Sequence, residues 1–209
     1  QHDLMVYHPD GSIWTVDGPM DTLHVIRFDK NPDGERTSFQ IPRGDHKPGG
    51  VYHKMDKGKR RGVETYLAPH SLQIGPNGVI WLTLASGNQL AGFDPYTNSW
   101  DIVDLEKGIN PHTLRFDKRG RLWYTLTATN HVGMFDPITR EQAFIRLKFP
   151  DLATRLITWF TPIFLRYADL LELDDRSAEM DGVTMPMPYG IDIHPLDGSI
   201  WFSQLNMSH

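Results

Sequence analysis

The sequence of 209 residues contains no cysteine. Disulfide bonds, thiolate metal sites and a cysteine nucleophile are therefore excluded together, but a cysteine-free chain suits both cytosol and periplasm. No unbroken apolar run reaches the ~18 residues of a membrane-spanning helix, so the sequence predicts no transmembrane span. The chain begins at Gln1 without a signal peptide, and we therefore expect it to be processed, trimmed or a fragment.

Basic residues are also scarce. Lysine and arginine number 21 against 26 aspartates and glutamates, which gives a net charge of -5. A protein that binds phosphate backbones through bulk charge needs the opposite balance, so we predict no nucleic-acid partner. Turn formers and aromatic residues are abundant, with 18 glycines, 15 prolines, 6 tryptophans, 7 tyrosines and 10 phenylalanines. This composition favours many short strands over a helix bundle.

A sequence repeat organises the chain. A tight turn followed by an aliphatic residue and tryptophan occurs four times, at Trp14, Trp81, Trp123 and Trp201. The dipeptide Phe-Asp follows 12 residues after two of these tryptophans, at Phe93 and Phe135. Trp81 and Trp123 are 42 residues apart, which is the length of one four-stranded propeller blade. Asn-Gly and Asp-Gly pairs in the turns are typical of tight hairpins.

The predicted fold class is all-β, a β-propeller segment of about three and a half four-stranded blades with one inserted amphipathic helix. One partial domain covers 1–209, with blades at about 2–42, 68–108, 110–149 and 187–209 and insertions at 43–67 and 150–186. Such a segment does not close a ring, so we expect a fragment of a longer propeller. Instead of a fragment, the chain could be a half-ring that a second copy completes. The alternative to the propeller fold is a β-sandwich of repeated hairpins. We expect the four repeat tryptophans to be buried at equivalent places between strand layers.

The first insertion is basic. Seven lysines and arginines lie within 43–62, against two aspartates. Glycines and the lack of periodicity indicate a loop, which is either a solvated surface segment or a segment that binds an anion or a partner. Gly58 and Lys59 lack the upstream glycine spacing of a P-loop, so no nucleotide site is predicted.

The second insertion is amphipathic. Apolar side chains recur there at helical spacing, at Leu156, Phe160, Ile163 and Tyr167. This pattern predicts a helix over 152–172 with a kink at Pro162. We expect the rest of the protein to cover its apolar face, so that the helix caps one side of the propeller. Contact with a partner protein or with a membrane surface is the alternative.

The blade pattern Pro-His-x-Leu, Gly-x-Ile-Trp and Phe-Asp-Pro resembles that of the streptogramin B lyase (virginiamycin B lyase) family and of the broader lactonase-like propellers. Pro69-His70-Ser71-Leu72 is one copy of its first element. The resemblance covers the blades and not the insertions. It implies a six- or seven-bladed ring and an elimination that opens a cyclic ester or depsipeptide at the mouth of the central channel.

The resemblance also implies where the site lies, because a histidine begins the innermost strand of successive blades. The corresponding positions are His2, His70, His112 and Tyr189, which we predict to contact a small-molecule substrate in one arc at the channel. His70 and His112 are the catalytic candidates, since imidazole titrates near neutral pH and suits general-base work. Alternatively, these histidines only cap the inner strands.

In the lyase family Mg²⁺ is held by a glutamate two residues before the catalytic histidine and another three residues after the blade tryptophan. The matching positions here are Ala68 and Leu84 in the second blade and Asn110 and Leu126 in the third. Since Mg²⁺ prefers oxygen ligands, we expect no tight Mg²⁺ site in the complete blades. Asp17, three residues after Trp14, is the one acidic candidate.

Two functions stay open at this point. The chain is either an enzyme of the lyase or lactonase type, or a non-catalytic propeller that binds a ligand or a protein across its face, because the same fold serves many activities. Propellers of this kind are often exported in bacteria, so we expect a periplasmic or secreted location rather than a cytoplasmic one.

Overall fold

The computed structural model describes residues 4–18, 20–29, 31–43, 67–149, 152, 155, 156, 159, 160 and 187–205. The described residues form three four-stranded antiparallel sheets and one two-stranded sheet. We call these sheets blades one to four in chain order. In each four-stranded blade the strands pair in sequence order, so blades one to three are up-and-down meanders.

The strands of blades one and two are β1 (Met5–Tyr7), β2 (Ile13–Asp17), β3 (Thr22–Arg27), β4 (Glu35–Gln40), β5 (Pro69–Ile74), β6 (Ile80–Leu84), β7 (Gln89–Asp94) and β8 (Ser99–Asp104). Those of blades three and four are β9 (Pro111–Phe116), β10 (Leu122–Leu126), β11 (His131–Phe135), β12 (Gln142–Arg146), β13 (Met187–Ile193) and β14 (Ile200–Leu205). A short 3₁₀ turn, Thr127–Thr129, joins β10 to β11.

The all-β part of the predicted fold class is confirmed by these sheets. The first strands of neighbouring blades contact each other, β5 with β9 and β9 with β13, as expected for blades arranged around a common centre. The extent of the domain and its division at the predicted boundaries stay a prediction.

Each blade opens with the same hairpin. In all four, the second strand follows a left-handed glycine with φ between +73° and +85°, at Gly11, Gly78, Gly120 and Gly198. A residue with a Cβ is strained in this conformation, which explains why glycine recurs there. The backbone N–H of each glycine donates to the carbonyl of the residue directly after the first strand, as from Gly78 to Gly75 at 2.9 Å. The turn thereby fixes the register of the hairpin.

The core lies between the blades. Trp14 of blade one packs on Phe93 of blade two with 5.7 Å between ring centroids, and Trp81 of blade two packs on Phe135 of blade three at 5.4 Å. Each of these aromatic pairs belongs to a buried apolar cluster that spans two blades. Burial of apolar surface is the main stabilising contribution to such a core, so each blade depends on its neighbour.

The four repeat tryptophans occupy equivalent places, the second residue of the second strand in every blade. Their burial is not uniform. Trp14 and Trp81 are 1% and 3% exposed, but Trp201 is 67% exposed, and Trp123 is half-buried. The prediction that all four are buried is therefore wrong for Trp201. Trp14 and Trp81 are covered by the third strand of the following blade, and no described strand occupies that place beside Trp201.

A side chain in the loop between the second and third strands ties each complete blade to the next. Asp21, Asn88 and Asn130 all have a left-handed backbone, with φ of 50°, 56° and 53°. The buried Asp21 carboxylate accepts hydrogen bonds from the backbone N–H groups of Leu67 at 3.1 Å and Ala68 at 3.0 Å.

Asn88 repeats this arrangement one blade later. Its Oδ1 accepts a hydrogen bond from Asn110 N at 3.2 Å, and its Nδ2 donates to the Gly108 carbonyl at 3.1 Å. In blade three, Asn130 Oδ1 accepts from Gln204 Nε2 at 2.7 Å. Ala68 and Asn110 stand two residues before His70 and His112, so these bonds fix the start of the strands that carry the candidate site.

The predicted amphipathic helix over 152–172 is a wrong prediction. The described part of the chain contains no continuous helical element beyond the three-residue 3₁₀ turn. Five residues of the range are described with helical backbone, and the apolar side chains among these five are exposed rather than covered, Leu156 by 47% and Phe160 by 50%. Spacing alone does not make a helix, because most helical stability comes from packing an apolar face. The remainder of that range lies outside the described residues.

No described helix is long and apolar enough to cross a membrane. The basic residues 44–62 lie outside the described part of the chain. Arg43, at its edge, is described, and its Nε lies 3.2 Å from Oδ2 of the buried Asp21. Whether 43–62 binds an anion or a partner stays a prediction.

Candidate functional site

Three rings from three blades form a continuous row. His70 lies in β5, His112 in β9 and Tyr189 in β13, each near the start of the first strand of its blade. The ring centroids of His70 and His112 are 3.8 Å apart, and those of His112 and Tyr189 are 4.0 Å apart. We call these three side chains the ring row.

The repeat produces this row because neighbouring blades place the same strand position side by side. His112, in the middle, is 1% exposed, whereas His70 and Tyr189 at its two ends are half-buried. His112 Nδ1 lies 3.1 Å from the hydroxyl of Thr113, an interaction that orients the imidazole. The accessible surface of the row is therefore provided by His70 and Tyr189, with His112 buried between them.

Two threonines connect the row to the preceding blade, and sequence reasoning missed them. Thr83 Oγ1 donates to the His112 carbonyl at 2.6 Å, and Thr125 Oγ1 donates to the Tyr189 carbonyl at 2.8 Å. Both threonines are fully buried. A signal was present in the sequence, because a hydroxyl residue stands two positions after the repeat tryptophan at Thr83, Thr125 and Ser203.

The two other predicted positions are His2 and Asp17. His2 lies outside the described residues. Asp17, at the end of β2, is half-buried, and its Oδ1 accepts a hydrogen bond from Met20 N at 3.2 Å. Its predicted role as a metal ligand beside His2 stays a prediction.

The residues at the positions expected to hold Mg²⁺ do not fit the ion. Leu84 and Leu126 are fully buried side chains without an oxygen, and Ala68 provides none either. Asn110 does have an amide oxygen, but that atom accepts a hydrogen bond from Thr127 Oγ1 at 2.7 Å. Within the described ranges no three histidine, aspartate or glutamate side chains are grouped as metal ligands.

In blade four the matching positions are Met187 and Gln204. The Gln204 amide donates to Asn130 Oδ1 at 2.7 Å and so serves the contact between blades three and four. Mg²⁺ prefers carboxylate, carbonyl and water oxygens, and this set of side chains does not offer a carboxylate pair beside the ring row. We derive no chemical step through a metal ion at these positions.

Other histidines lie away from the ring row. His24 Nδ1 is 2.8 Å from Ser38 Oγ, and His131 Nδ1 is 2.6 Å from the Thr129 carbonyl. Burial, together with nearby cationic side chains, holds the pKa of each of these two histidines below the ordinary value of 6.5. Their contacts are to neighbouring strands and turns, which gives them a structural role.

Comparison with known proteins gives a match at the level of structure alone. No family model matches the sequence, and no curated protein matches it. Virginiamycin B lyase from Staphylococcus aureus has a TM-score of 0.62 to this chain at 17% sequence identity, over 97% of this chain and 48% of the lyase. A catalytically inactive variant of that enzyme with a histidine replaced by alanine, solved with quinupristin, has a TM-score of 0.61.

Two further proteins show the same fold. A streptogramin B lyase has a TM-score of 0.61 at 15% identity, over 96% of this chain and 47% of that protein. The extracellular domain of a hybrid two-component system protein from B. thetaiotaomicron has a TM-score of 0.52 at 11% identity, over 98% of this chain and 20% of that protein. The chain spans about half the length of the lyases it matches. It is thus similar in structure to the streptogramin B lyases and has their β-propeller fold.

Proposed function

We propose that this chain binds a small cyclic-ester molecule at the ring row, as a propeller similar to the streptogramin B lyases. One observation carries the proposal: His70, His112 and Tyr189, which are 42 and 77 residues apart in sequence, stand in one row with neighbouring rings about 4 Å apart. Both ring faces for stacking and polar atoms for hydrogen bonding are thereby concentrated on one small surface.

The chemistry of the row suits an ester ligand. Imidazole N–H and phenol O–H groups donate hydrogen bonds, and ester carbonyl oxygens accept them, while the ring faces pack against the apolar parts of a macrocycle. The similarity to a lyase whose histidine-to-alanine variant is catalytically inactive and was solved with quinupristin supports a role for row histidines in this chain.

If the chain is catalytic, His70 is the group to act as the base. It is half-buried, whereas His112 is enclosed. In the elimination, the neutral imidazole takes a proton from the carbon next to the alkoxy carbon of the ester. A carbon–carbon double bond forms between these two carbons, the C–O bond breaks, and the carboxylate leaves with the electron pair. The imidazolium then returns its proton to solvent.

The second candidate function is binding without catalysis. The buried Leu84 and Leu126 favour it, because they stand where the lyase family has an acidic residue. Stabilisation of negative charge on the substrate contributes strongly to reactions that pass through an enolate. Without acids at these positions this contribution has to come from other groups, so binding and turnover have to be measured separately.

The test uses quinupristin as the probe. Calorimetry on the full chain is expected to show binding. The double variant His70→Ala/His112→Ala is expected to weaken it about fivefold or more, since it removes one contact of ~1 kcal/mol from the accessible His70 and also the buried ring of His112 that packs between His70 and Tyr189. The matched control is His194→Ala, because His194 bonds Asp197 in the β13–β14 turn, at the far end of that hairpin from Tyr189.

Liquid chromatography of quinupristin after incubation, followed by fragmentation of the separated species in the mass spectrometer, reports turnover. A ring-opened product of unchanged mass that depends on His70 supports the lyase, since elimination within a ring isomerises it, and unaltered quinupristin with intact binding supports the non-catalytic function. Equal affinity in the double variant and in the wild type contradicts the proposed site in both cases.

For the cellular location we propose periplasmic or secreted. The support is the similarity in fold to the extracellular domain of the B. thetaiotaomicron protein. Fractionation of cells that express the native gene, with a cytoplasmic marker enzyme as control, tests this location. Recovery of the protein with the cytoplasmic marker contradicts it.

A further inference from the structure

The hydroxyl groups of Thr83 and Thr125 each take part in two hydrogen bonds, one within their own blade and one to the ring-row residue of the following blade. Thr83 Oγ1 accepts a hydrogen bond from Ser71 N at 3.1 Å, within blade two, and donates to the His112 carbonyl at 2.6 Å, in blade three. Thr125 Oγ1 accepts from Thr113 N at 3.2 Å, within blade three, and donates to the Tyr189 carbonyl at 2.8 Å, in blade four. Each hydroxyl thus bridges two blades.

These hydroxyls lie where the pairing between the first and second strands of the blade is irregular. The register between the first and second strands shifts in blade two between Pro69 and Ser71, and in blade three between Tyr124 and Leu126. A shifted register leaves backbone groups without their regular partner across the ladder. The threonine hydroxyl supplies the acceptor at this place and still has a hydrogen to donate.

The acceptor of that hydrogen is the backbone of a ring residue. His112 lies in β9, an edge strand of its sheet, so half of the carbonyls of that strand point away from its own blade. The Thr83 bond fixes one of them, and with it the Cα from which the imidazole projects. Because His70 and Ser71 are adjacent in sequence, the same hydroxyl also holds the strand that carries His70.

Blades one and four show the limits of this arrangement. Ser203, the counterpart in blade four, accepts a hydrogen bond from Gly190 N at 3.0 Å, next to Tyr189. In blade one the counterpart is Val16, which has no hydroxyl. The hydrogen bonds are therefore present where two ring residues stand side by side, between His70 and His112 and between His112 and Tyr189.

We propose that Thr83 and Thr125 are positioning residues of the ring row, which set the spacing of neighbouring rings through the backbone carbonyls of His112 and Tyr189. The significance for ligand binding rests on the proposed function, but the geometric claim does not. Each threonine acts on one contact: Thr83 holds His112 against His70, and Thr125 holds Tyr189 against His112.

The test is NMR spectroscopy of the ring protons in the full chain without ligand. Thr83→Val is expected to shift the His70 and His112 ring resonances and to weaken the nuclear Overhauser effect between them. Thr125→Val is expected to act in the same way on the His112 and Tyr189 rings. Thr83→Ser and Thr125→Ser keep the hydroxyl and are expected to restore the wild-type cross-peaks, which general destabilisation of the blade does not explain.

The matched control is Thr15→Val. Thr15 Oγ1 also donates to a backbone carbonyl, that of Leu4 at 2.8 Å, but it lies in blade one away from the ring row. In Thr15→Val the ring resonances of His70, His112 and Tyr189 are expected to equal those of the wild type. If a valine variant does not fold, Thr83→Ala and Thr125→Ala, compared with the serine variants, carry the same test.

Wild-type cross-peaks in the folded valine or alanine variants overturn the proposal, as do ring shifts of equal size in Thr15→Val. Quinupristin affinity provides a separate readout. A fall of about fivefold in Thr83→Val, the effect of one hydrogen bond, extends the positioning role to ligand binding. Loss of the cross-peaks with unchanged affinity supports the positioning role and counts against the proposed binding site, so the two proposals fail separately.

Discussion

Tyr124 shows how a single residue adds to the core and also weakens it. Its side chain is fully buried between blades two and three, and its hydroxyl has no hydrogen-bond partner within the described structure. Burial, and next the negative charge of Glu106, raise the pKa of this phenol, so it stays protonated. A buried hydroxyl without a partner carries a desolvation penalty.

We therefore expect Tyr124→Phe to leave the free energy of unfolding unchanged or to raise it by about 1 kcal/mol, because the penalty disappears while the ring remains. Urea denaturation followed by circular dichroism measures this change. Tyr96→Phe is the control, since Tyr96 is 75% exposed and its loss should be nearly neutral. A loss of more than about 1 kcal/mol in Tyr124→Phe would mean that the hydroxyl has a partner.

His131 connects stability to pH. Burial lowers the pKa of this imidazole, and the cations Arg146 and Lys107 lower it further, against the opposing effect of the bond to the Thr129 carbonyl. The unfolded chain therefore binds a proton more readily than the folded one. Stability is full above the unfolded pKa of about 6.5 and falls as the pH decreases below it.

Thermal unfolding at about pH 7.5 and about pH 5.5, on either side of the ordinary histidine pKa, is expected to show a lower midpoint at the acidic value. His131→Gln is expected to reduce this difference, because the uncharged amide does not take up a proton in the unfolded state. His24→Gln should act in the same direction, since burial and then Arg36 lower the pKa of that histidine. A difference equal to that of the wild type in both variants would exclude these two groups as its source.

At the scale of elements, the loops between second and third strands decide how blades attach. Asn88 combines a left-handed backbone, φ +56°, with two hydrogen bonds to the start of blade three. Asparagine tolerates this conformation better than most residues. The same side chain thus shapes its own loop and holds Asn110, two residues before His112.

Asn88→Ala is expected to lower the free energy of unfolding by about 2–3 kcal/mol, from two lost hydrogen bonds and the strain of alanine in the left-handed region. Asn98→Ala is the matched control, because Asn98 has φ +55° in an exposed turn within blade two. It should lose only the backbone preference, about 1 kcal/mol. Chemical denaturation of both variants compares the two losses, and equal values would contradict a role for Asn88 between blades.

The elements differ in how far the sequence predicts them. The blade hairpins are specified locally, because the glycine at the turn and the alternation of apolar residues act within about ten residues. The spacing of apolar residues alone predicts a helix over 152–172, whereas the described Leu156 and Phe160 are exposed and lack the packing that stabilises a helix. Local patterns thus predict an element reliably only when they include its turn chemistry.

The candidate site was predictable in part for the same reason. The place of His70 and His112 in the fold follows from a 42-residue period, since equal positions in neighbouring blades meet. The contribution of Thr83 could not be predicted, because its partner is a backbone carbonyl 29 residues away. Threonine is also common in strands, so its presence there gives no indication of a special role. Every residue has a backbone carbonyl, so the type of a residue does not indicate whether its carbonyl accepts such a hydrogen bond.

At the scale of the whole molecule, the stabilising contacts lie between neighbouring blades rather than in one central core. Both buried clusters span two blades, as in repeat proteins, whose stability is approximately a sum of repeat and interface contributions. Equivalent residues in different blades should therefore contribute differently to the free energy of unfolding, depending on whether a neighbouring blade covers them.

Trp14→Ala and Trp201→Ala make the same substitution at the same position of blades one and four. We expect Trp14→Ala to lower the free energy of unfolding by about 3–5 kcal/mol, since it opens a cavity beside Phe93. Trp201→Ala, at a side chain that is 67% exposed, should change it by about 0.5 kcal/mol or less. Urea denaturation of the full chain measures both, and similar losses would contradict the difference in cover that separates the two positions.

The hydrogen bonds of Thr83 and Thr125 end on backbone carbonyls and not on the side chains of the residues they hold. Every amino acid has such a carbonyl, so a mutation at the ring position changes what a ligand meets without breaking the bond that sets its place. His112 and Tyr189 already differ in this way under the same constraint. Selection can therefore alter the specificity of the row one blade at a time, while the framework beneath it is inherited unchanged.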